Sequence, residues 1–360
     1  MKLAKLEAIT LKIPFDDLYD GPRAKRRGWT EFDTLLVRVE DAEGNVGWGE
    51  AFAYSCAGAV RAALLDMVAP LVLGREIQDI PTLNRELQLA LHIWGRYGIT
   101  IFALSGLDIA LWDLQAKRAG LSLARHLGGR NREQVPAYAS LVRYAGAAQI
   151  TTMIQRARTE GYTDIKLHEI DPLVIEAARA AGPDLRLTVD VNCAWSLGEA
   201  ETLLARLRPL NLHWVEEPIF PPEDYDTHQA LARFGVPLAA GENACTAFEF
   251  RRLIPALAYP QPSVTKIGGI SEFLATLDLA EAAGKSAMPH SPYFGPGYWA
   301  TLQLAANRPS IGLFEFLYVQ PAAWLAPDIP LPRQGQIQIP DRPGIGFTPN
   351  PAILEQYRVN

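Results

Sequence analysis

Three carboxylates recur at near-equal intervals in the second half of the chain: Asp190, Glu216 and Glu242. Each one ends an apolar run typical of a β-strand, and a pattern typical of a helix follows each run. Because the carboxyl ends of parallel strands meet at one mouth of a barrel, we expect the three side chains to converge there. Converging oxygen ligands suit a hard divalent cation, most simply Mg²⁺. A single acid at a strand end would instead be read as a helix cap, but three in phase favour a metal site.

The same interval extends in both directions along the chain. Lys166 and His168 end an earlier apolar stretch, and His290 and Glu315 follow later ones. One double step in the series is filled by the strand-like run 263–267. A repeat of about 25 residues corresponds to one strand, one helix and two loops, which is the unit of a TIM-like barrel.

Length and composition restrict the class of protein. A chain of 360 residues can hold one barrel and a smaller domain. The net charge of −6 gives no support for nucleic-acid binding, which normally needs a basic face. Cys56, Cys193 and Cys245 form no Cys-x-x-Cys pair, so they argue against a disulfide framework or a zinc ribbon and favour a cytoplasmic location. No uninterrupted apolar run predicts a signal peptide or a membrane span.

The first third of the chain has a different organisation from the rest. A turn at 41–45 joins two strand-like runs into a hairpin, and helical patterns follow. An antiparallel sheet followed by helices predicts a separate α+β domain. The predicted strands are 2–13, 32–40 and 45–53, the predicted helices are 57–72, 79–92 and 97–119, and the predicted domains are 1–128 (α+β), 129–317 (barrel) and 318–360 (a C-terminal segment returning to the first domain).

Six short motifs follow one another in a specific order. They are Gly47-Trp48-Gly49-Glu50, the helix Ala103-Leu104-Ser105-Gly106-Leu107-Asp108-Ile109-Ala110-Leu111-Trp112-Asp113, Asp190-Val191-Asn192, Trp214-Val215-Glu216-Glu217-Pro218, Gly241-Glu242-Asn243 and Pro343-Gly344-Ile345-Gly346. In this order and spacing they resemble the enolase superfamily, in its mandelate racemase and muconate lactonizing branch. The likeness covers essentially the whole chain.

The resemblance implies an α/β fold, a modified (β/α)₇β TIM-like barrel with an α+β capping domain. It also implies Mg²⁺ held by Asp190, Glu216 and Glu242, and removal of the proton α to a carboxylate to give an enediolate. That proton is weakly acidic in water, because its loss builds a second negative charge on the substrate. A divalent cation at the carboxylate offsets this charge, and nearby bases take the proton.

Two departures from the family pattern bear on the reaction. Racemases of this branch usually carry Lys-x-Lys on the second barrel strand, where this chain has Lys166-Leu167-His168. They also pair the seventh-strand histidine with an aspartate on the sixth strand, where this chain has His290 and Ser263. A histidine without a carboxylate partner is a weaker base, which disfavours simple racemisation. We therefore expect a sugar-acid dehydratase, with a racemase, epimerase or cycloisomerase as the alternative and a catalytically silent metal-binding protein as a further one.

Four residues are the candidates for the chemistry itself. His168 is the base candidate on one face of the substrate, and His290 is the candidate on the other face. Lys166 supplies a fixed positive charge that lowers the pKa of a neighbour and contacts the substrate carboxylate. Glu315 is expected to be protonated and to donate a hydrogen bond to that carboxylate.

Other residues are expected to support the ligands or to contact the substrate. Lys266 is a candidate ion-pair partner for a metal ligand, and the basic segment between Pro14 and Trp29 is expected to cover the substrate and grip its distal part. The full supporting set is Asn192, Asn243, Lys266, Ser263, Tyr54, Arg26 and Arg27. The expected partner is a small carboxylate, not a nucleic acid or a membrane, and we expect a homo-oligomer.

Overall fold

Two sheets organise the protein in a computed structural model that describes residues 1–21 and 29–359. One is a five-stranded antiparallel sheet whose three longest strands lie within residues 3–51. The other is an eight-stranded, mainly parallel sheet. One buried apolar cluster fills the barrel and reaches one face of the first sheet, and a second lies between the other face of that sheet and the helices that follow it.

The first sheet starts as a meander of β1 (Leu3–Asp16), β2 (Glu31–Asp41) and β3 (Val46–Ala51). The Asp41 carboxylate closes the predicted hairpin turn by accepting the backbone N–H groups of Glu43 and Asn45, both at 2.9 Å. Such local bonds from an aspartate side chain favour a turn over a continued strand. The strand boundaries therefore agree with the predicted runs to within a few residues.

Helices follow this sheet in the chain. They are α1 (Ala57–Ala62), a π-helical stretch (Ala63–Val68), α2 (Ala69–Val72), α3 (Ile80–Ala90), α4 (Ile99–Arg118) and α5 (Leu123–His126). Helix α4 lies almost directly on β3, since a Cβ atom at Gly47 or Gly49 would come within about 2 Å of helix carbonyl oxygens. By length and hydropathy α4 alone among the described helices could cross a membrane, but 78% of its apolar window is buried inside the protein.

The second sheet closes into a barrel. Its order runs β10, β4, β5, β6, β7, β8, β9, and the short segment around Ala287 completes the ring. Met288 N–H donates to the carbonyl of Pro260 at 2.9 Å, and Ala287 forms a parallel bridge with Ile311. The strands are β4 (Gln134–Ser140), β5 (Asp164–Leu167), β6 (Arg186–Asp190), β7 (Trp214–Glu216), β8 (Leu238–Ala240), β9 (Tyr259–Pro260) and β10 (Phe314–Leu317).

One helix connects each strand position of the ring to the next. These helices are α6 (Ala147–Thr159), α7 (Pro172–Ala181), α8 (Leu197–Leu207), α9 (Tyr225–Leu231), α10 (Thr246–Leu253), α11 (Gly269–Ala282) and α12 (Pro296–Asn307). Eight strand positions and seven intervening helices make a (β/α)₇β barrel. The predicted fold class, a TIM-like barrel with an α+β cap, is confirmed.

The last residues contribute to both sheets. The elements are β11 (Gln320–Pro321), β12 (Gln336–Gln338), α13 (Pro351–Tyr357) and β13 (Arg358–Val359). Both β11 and β13 pair antiparallel with β1, and β12 pairs with β4. The first strand of the cap is thus completed by the end of the chain.

Three buried carboxylates fasten the cap to the rest of the molecule. Glu50 accepts the N–H of Gly297 at 2.9 Å, Asp108 that of Ser271 at 3.0 Å, and Asp113 that of Ile345 at 2.8 Å. Two of these donors lie in the first turns of α12 and α11, where backbone N–H groups lack helix partners. The motifs at 47–50 and 103–113 therefore hold the cap against the barrel.

Candidate active site

The carboxylates that were expected to form a metal site come together at one mouth of the barrel. Asp190 and Glu216 end neighbouring strands and are direct partners in the β6–β7 register. Glu242 follows β8 after Gly241, whose φ of 137° suits glycine and whose Cβ would lie 2.8 Å from the ring of Phe250. One oxygen of each acid lies within 4.8 Å of the others. An all-carboxylate set at this spacing fits a hard divalent cation.

Lys166 lies at the centre of the barrel mouth and is completely buried. Its Nζ is 2.9 Å from Oε1 of Glu216, 3.4 Å from Oδ2 of Asp190 and 2.7 Å from Oε1 of Glu315. Burial alone would lower the pKa of this ammonium, but the surrounding carboxylates outweigh it and raise the pKa well above its usual value. The surrounding carboxylates therefore favour the charged form of Lys166.

The charges around Lys166 act differently on its two neighbouring ligands. Burial raises the pKa of Asp190, but the charges of Lys166 and His168 reverse this and hold the pKa below its ordinary value. Burial and the charge of Asp190 keep the pKa of Glu216 well above its ordinary value. This mutual repulsion between carboxylates is the interaction that a bound cation would relieve.

Glu216 is held in place by two groups that the sequence did not single out. Trp214 Nε1 and Gln261 Nε2 both donate to Oε2 of Glu216, at 3.0 and 2.7 Å. Trp214 comes from the same strand and Gln261 from the end of β9. Residues that orient a ligand in this way tune its position and basicity. Trp214 belongs to the motif 214–218, whereas Gln261 precedes the predicted run 263–267, and the strand found there is β9.

His168 is oriented by the backbone. Its Nδ1 lies 2.5 Å from the carbonyl oxygen of Leu141, and its Nε2 lies 3.3 Å from Oδ2 of Asp190. A carbonyl can only accept, so Nδ1 carries a proton. Nε2 lies beside a carboxylate oxygen and lines the cavity next to the acids. With Nδ1 held by the backbone, Nε2 is the ring nitrogen that can exchange a proton with a bound substrate.

His290 differs from His168 at Nδ1. Its Nε2 lies 2.7 Å from Oε2 of Glu242, so Nε2 is the protonated nitrogen that donates to the carboxylate. Its Nδ1 is buried and has no hydrogen-bond partner among the described residues. Ser263, on the neighbouring sixth strand position, directs its Oγ to Thr265 and Tyr293 at 3.4 Å instead. The sequence indicated that the histidine–aspartate dyad is absent. The structure agrees, because Nδ1 of His290 has no carboxylate partner among the described residues.

Glu315 does not fit its expected role as a protonated donor. Burial raises the pKa of this carboxyl, but Lys166 and His290 outweigh burial and hold the pKa below its ordinary value. Its oxygens also accept from Ser140 Oγ at 2.8 Å and from the Ser291 N–H at 2.9 Å. The expectation is corrected: Glu315 is a carboxylate whose hydrogen-bonding capacity is used to fix Lys166.

The supporting residues predicted from the sequence differ in the contacts that they make. Asn192 N–H donates to Asp190 at 2.8 Å, and Asn243 reaches Glu242 at 3.5 Å. Lys266 forms no ion pair with a described carboxylate, although its charge helps to lower the pKa of Glu242; its Nζ lies 4.7 Å from the ring centre of Phe52. Tyr54 is 47% exposed and lines the cavity. Arg26 and Arg27 lie outside the described residues.

A cavity of about 510 Å³ lies between the barrel mouth and the cap. His168, His290 and Glu242 line its inner end, together with the previously unassigned Arg143 and Glu50. Arg143 donates from Nε to the carbonyl of His168 at 2.7 Å and from Nη2 to Asn192 at 3.4 Å. The volume suits a small-molecule substrate. Neither residue showed a sequence signal for the site, since Arg143 lies beyond the predicted strand ends and Glu50 lies in the cap.

Comparison with known proteins agrees with this geometry. Residues 27–128 match the family described as mandelate racemase / muconate lactonizing enzyme, N-terminal domain, and residues 149–353 match the family described as enolase C-terminal domain-like. The chain is 33% identical to a D-galactarolactone cycloisomerase of Agrobacterium fabrum, over 90% of this chain and 91% of that protein. It is 30% identical to an arabinonate dehydratase of Saccharolobus solfataricus, with 97% and 98% covered.

A solved structure extends the comparison to a metal. The crystal structure of a racemase from Streptomyces coelicolor with bound magnesium superposes with a TM-score of 0.85 at 27% identity, covering 99% of this chain and all of that one. Relatives that are lyases and isomerases, with the same two-domain fold, support assignment to an enzyme family. The chain belongs to the mandelate racemase and muconate lactonizing branch of the enolase superfamily.

Proposed function

We propose that the protein is an Mg²⁺-dependent dehydratase of a sugar acid. The observation that carries this proposal is a pair of histidines that line one cavity, His168 fixed through Nδ1 by the Leu141 carbonyl and His290 fixed through Nε2 by Glu242. In the reaction the α-carbon loses its proton and the β-carbon loses its hydroxyl, which leaves as water. The resulting enol tautomerises to a 2-keto-3-deoxy acid. Elimination needs a base and an acid at once, which this pair supplies.

Asp190, Glu216 and Glu242 are the residues that would hold the cation, and Lys166 would lie beside it. When bound, the cation would hold the substrate carboxylate and offset the negative charge that builds up as the α-proton leaves. Lys166 adds a second fixed positive charge in a buried setting, where electrostatic interactions are strong. Glu315 and Ser140 keep Lys166 from moving during the reaction.

His168 takes the α-proton in this proposal. Its Nδ1 proton is engaged by the Leu141 carbonyl, so Nε2 is the nitrogen that would accept, and the ring has to enter this step neutral. His290 protonates the departing β-hydroxyl from Nε2. For this step His290 has to enter the reaction as an imidazolium, with a proton on the unpartnered Nδ1 as well as on Nε2.

Cycloisomerisation is the second candidate, and the relative from A. fabrum favours it. It shares the first proton transfer, and the two reactions differ in the fate of the atoms. Dehydration removes one water from the substrate, whereas cycloisomerisation conserves its mass. The dehydratase is preferred because the arabinonate dehydratase is matched over nearly the whole of both chains.

The test has two independent arms. The first measures the melting temperature with and without Mg²⁺, for the wild type, for Glu216→Gln and for the surface control Glu176→Gln. We expect Mg²⁺ to raise the melting temperature by linkage in the wild type and the control only. Identical melting curves with EDTA and with millimolar Mg²⁺ would show that the ligand assignment is wrong.

The second arm incubates the enzyme with a library of sugar acids in D₂O and follows mass and NMR spectra. A dehydratase gives a product lighter by one water before deuterium is counted. A cycloisomerase gives a product of unchanged composition, and an epimerase places deuterium at the α-carbon of a recovered stereoisomer. If no acid shows turnover or α-proton exchange, a catalytically silent protein is the better description.

A further inference from the structure

Glu169 is a buried carboxylate that directly follows His168 in the chain, and the reaction proposed for the protein does not use it. Only 1% of its surface is exposed, and it is not among the residues that line the cavity. A carboxylate removed from water in this way is costly unless hydrogen bonds satisfy its oxygens. The groups that donate to Glu169 therefore indicate what it holds in place.

The donors are two consecutive backbone N–H groups in the loop that follows β4. Tyr144 N–H donates to Oε1 of Glu169 at 2.8 Å, and Ala145 N–H donates to Oε1 at 3.1 Å and to Oε2 at 3.2 Å. Ala145 has a φ of 57°, in the left-handed region that residues with a Cβ adopt infrequently. Such a conformation persists where its surroundings hold it, and consecutive N–H groups of this kind bind anions. Glu169 is the anion that holds this loop.

The same loop contacts His168 at two points. Arg143 donates from Nε to the carbonyl oxygen of His168 at 2.7 Å, and the carbonyl oxygen of Leu141 lies 2.5 Å from Nδ1 of the ring. The last register pair between β4 and β5 is Ser140 with Lys166, so these contacts lie beyond the paired strands. The regular strand pairing therefore does not fix His168. The loop after β4 does so, through one bond to its backbone and one to its ring.

We infer that Glu169 is a positioning residue for His168. By holding the backbone at residues 144 and 145, it keeps Arg143 and Leu141 where they fix the backbone and the ring of His168. This inference rests on the proposed function for one point, the role of His168 in proton transfer. Because a displacement of about 1 Å can cost about 10²-fold in rate, a side chain that does not touch the substrate can control the reaction.

Two variants separate the hydrogen bonds of Glu169 from its charge. Glu169→Gln keeps the length of the side chain and an oxygen that can accept both N–H groups, but it removes the charge. Glu169→Asp keeps the charge but is one methylene shorter, so its oxygens no longer reach both donors. Positioning predicts that Glu169→Gln stays close to the wild type and that Glu169→Asp is the more damaging variant. The control is Asp171→Ala, which removes an exposed carboxylate that accepts the N–H of Leu173 at 2.9 Å at the start of α7.

The first measurement does not depend on activity. In protein with ¹⁵N-labelled histidine, the Nδ1 proton of His168 should exchange slowly with water because the Leu141 carbonyl holds it. The absence of this NMR signal from His168→Asn assigns it. We expect the signal to persist in Glu169→Gln and in Asp171→Ala. In Glu169→Asp the proton should exchange at least about 10-fold faster, as for the loss of about one hydrogen bond.

The second measurement is α-proton exchange in D₂O, with the sugar acid that the wild type exchanges fastest. The acid is varied from below to above saturation. Glu169→Asp should lower the rate at saturation at least about 10-fold, because His168 is displaced from the reacting carbon. The concentration of acid that gives half of the maximal rate should change less, because Glu169 does not line the cavity. Glu169→Gln should restore most of the rate, and Asp171→Ala should not lower it.

Three results would overturn the inference: equal damage in Glu169→Gln and Glu169→Asp, a wild-type signal and rate in Glu169→Asp, or the same losses in Asp171→Ala. The proposed function fails in a different way. If the signal of His168 responds as expected but no acid exchanges its α-proton, Glu169 positions His168 and the assigned chemistry is wrong. If every variant exchanges the α-proton at the wild-type rate, the chemistry stands and Glu169 is not a positioning residue.

Discussion

Nζ of Lys166 lies 2.9 Å from Oε1 of Glu216, and both side chains are removed from water almost completely. Taking an ammonium and several carboxylates out of water costs free energy, which their mutual attraction offsets only in good geometry. Removing either partner should therefore lower the free energy of unfolding, because the other charge would stay buried without compensation. It also places a positive charge beside the three acids before any cation arrives.

The first prediction concerns that positive charge. Lys166→Met should lower the free energy of unfolding of the metal-free protein by about 3–5 kcal/mol, since it leaves uncompensated buried carboxylates. It should also abolish α-proton exchange. Urea unfolding in EDTA measures the first effect. Lys5→Met removes an exposed ion pair with Glu40 and should lower the free energy of unfolding far less. Similar losses in both variants would show that Lys166 is not the centre of the charge cluster.

The second prediction separates the two histidines. His168→Asn should reduce α-proton exchange at least about 10²-fold, the low end for a general acid–base residue. His290→Asn should abolish formation of the dehydrated product, while the α-proton still exchanges with solvent. NMR in D₂O measures both reactions in one sample. If His168→Asn keeps the wild-type exchange rate, the assignment of the base is wrong.

The third prediction tests the missing dyad. Ser263→Asp should give Nδ1 of His290 a carboxylate partner and make the ring a better base. We expect deuterium to enter the α-carbon with inversion, so that a second epimer appears at a rate at least about 10-fold above wild type. Ser263→Asn has the same shape without the charge and should not show it. Inversion in both variants would point to a change of shape and not of basicity.

The fourth prediction concerns pH and stability. Burial raises the pKa of Glu50 to about 7, while the unfolded chain has the ordinary value near 4.5. The folded state then holds a proton that the unfolded state has lost, so this contribution to stability is complete below about pH 4.5 and is lost as the pH rises toward 7. Glu50→Gln keeps the acceptor for Gly297 and cannot ionise. Between pH 5 and pH 8 the free energy of unfolding of the wild type should fall by up to about 3 kcal/mol more than that of Glu50→Gln.

Parallel urea titrations at several pH values check this prediction. A wild-type curve that rises over this range relative to Glu50→Gln would mean that Glu50 is ionised in the folded protein. Asp113→Asn is a useful comparison, because Asp113 also holds the cap but pairs with Lys117 at 2.6 Å.

The sequence predicts the barrel and its three acids because strand ends recur at near-equal intervals along the chain. The same spacing predicts that Lys166, His168, His290 and Glu315 lie at the same mouth of the barrel, and the structure shows them there. It does not predict protonation states, and Glu315 is the example: its ionisation depends on Lys166, which is far away in sequence.

Residues that do not follow this regular spacing could not be predicted from it. Gln261 and Trp214 orient Glu216 from inside the barrel, and Arg143 reaches the cavity from a loop. Their positions depend on side-chain directions after folding, and not on a repeat. A cytoplasmic location and a homo-oligomer stay predictions from the sequence.

The pairing of β1 with both β11 and β13 has a consequence for biosynthesis. A ribosome releases β1, β2 and β3 before the barrel, but the strands that complete β1 come only after the barrel strands have been made. During translation one edge of the nascent cap sheet stays open, and open edges promote association between chains. Chaperone dependence should therefore be greatest while the barrel is still being synthesised, and truncations at Arg358–Val359 should reduce soluble yield more than activity per folded molecule.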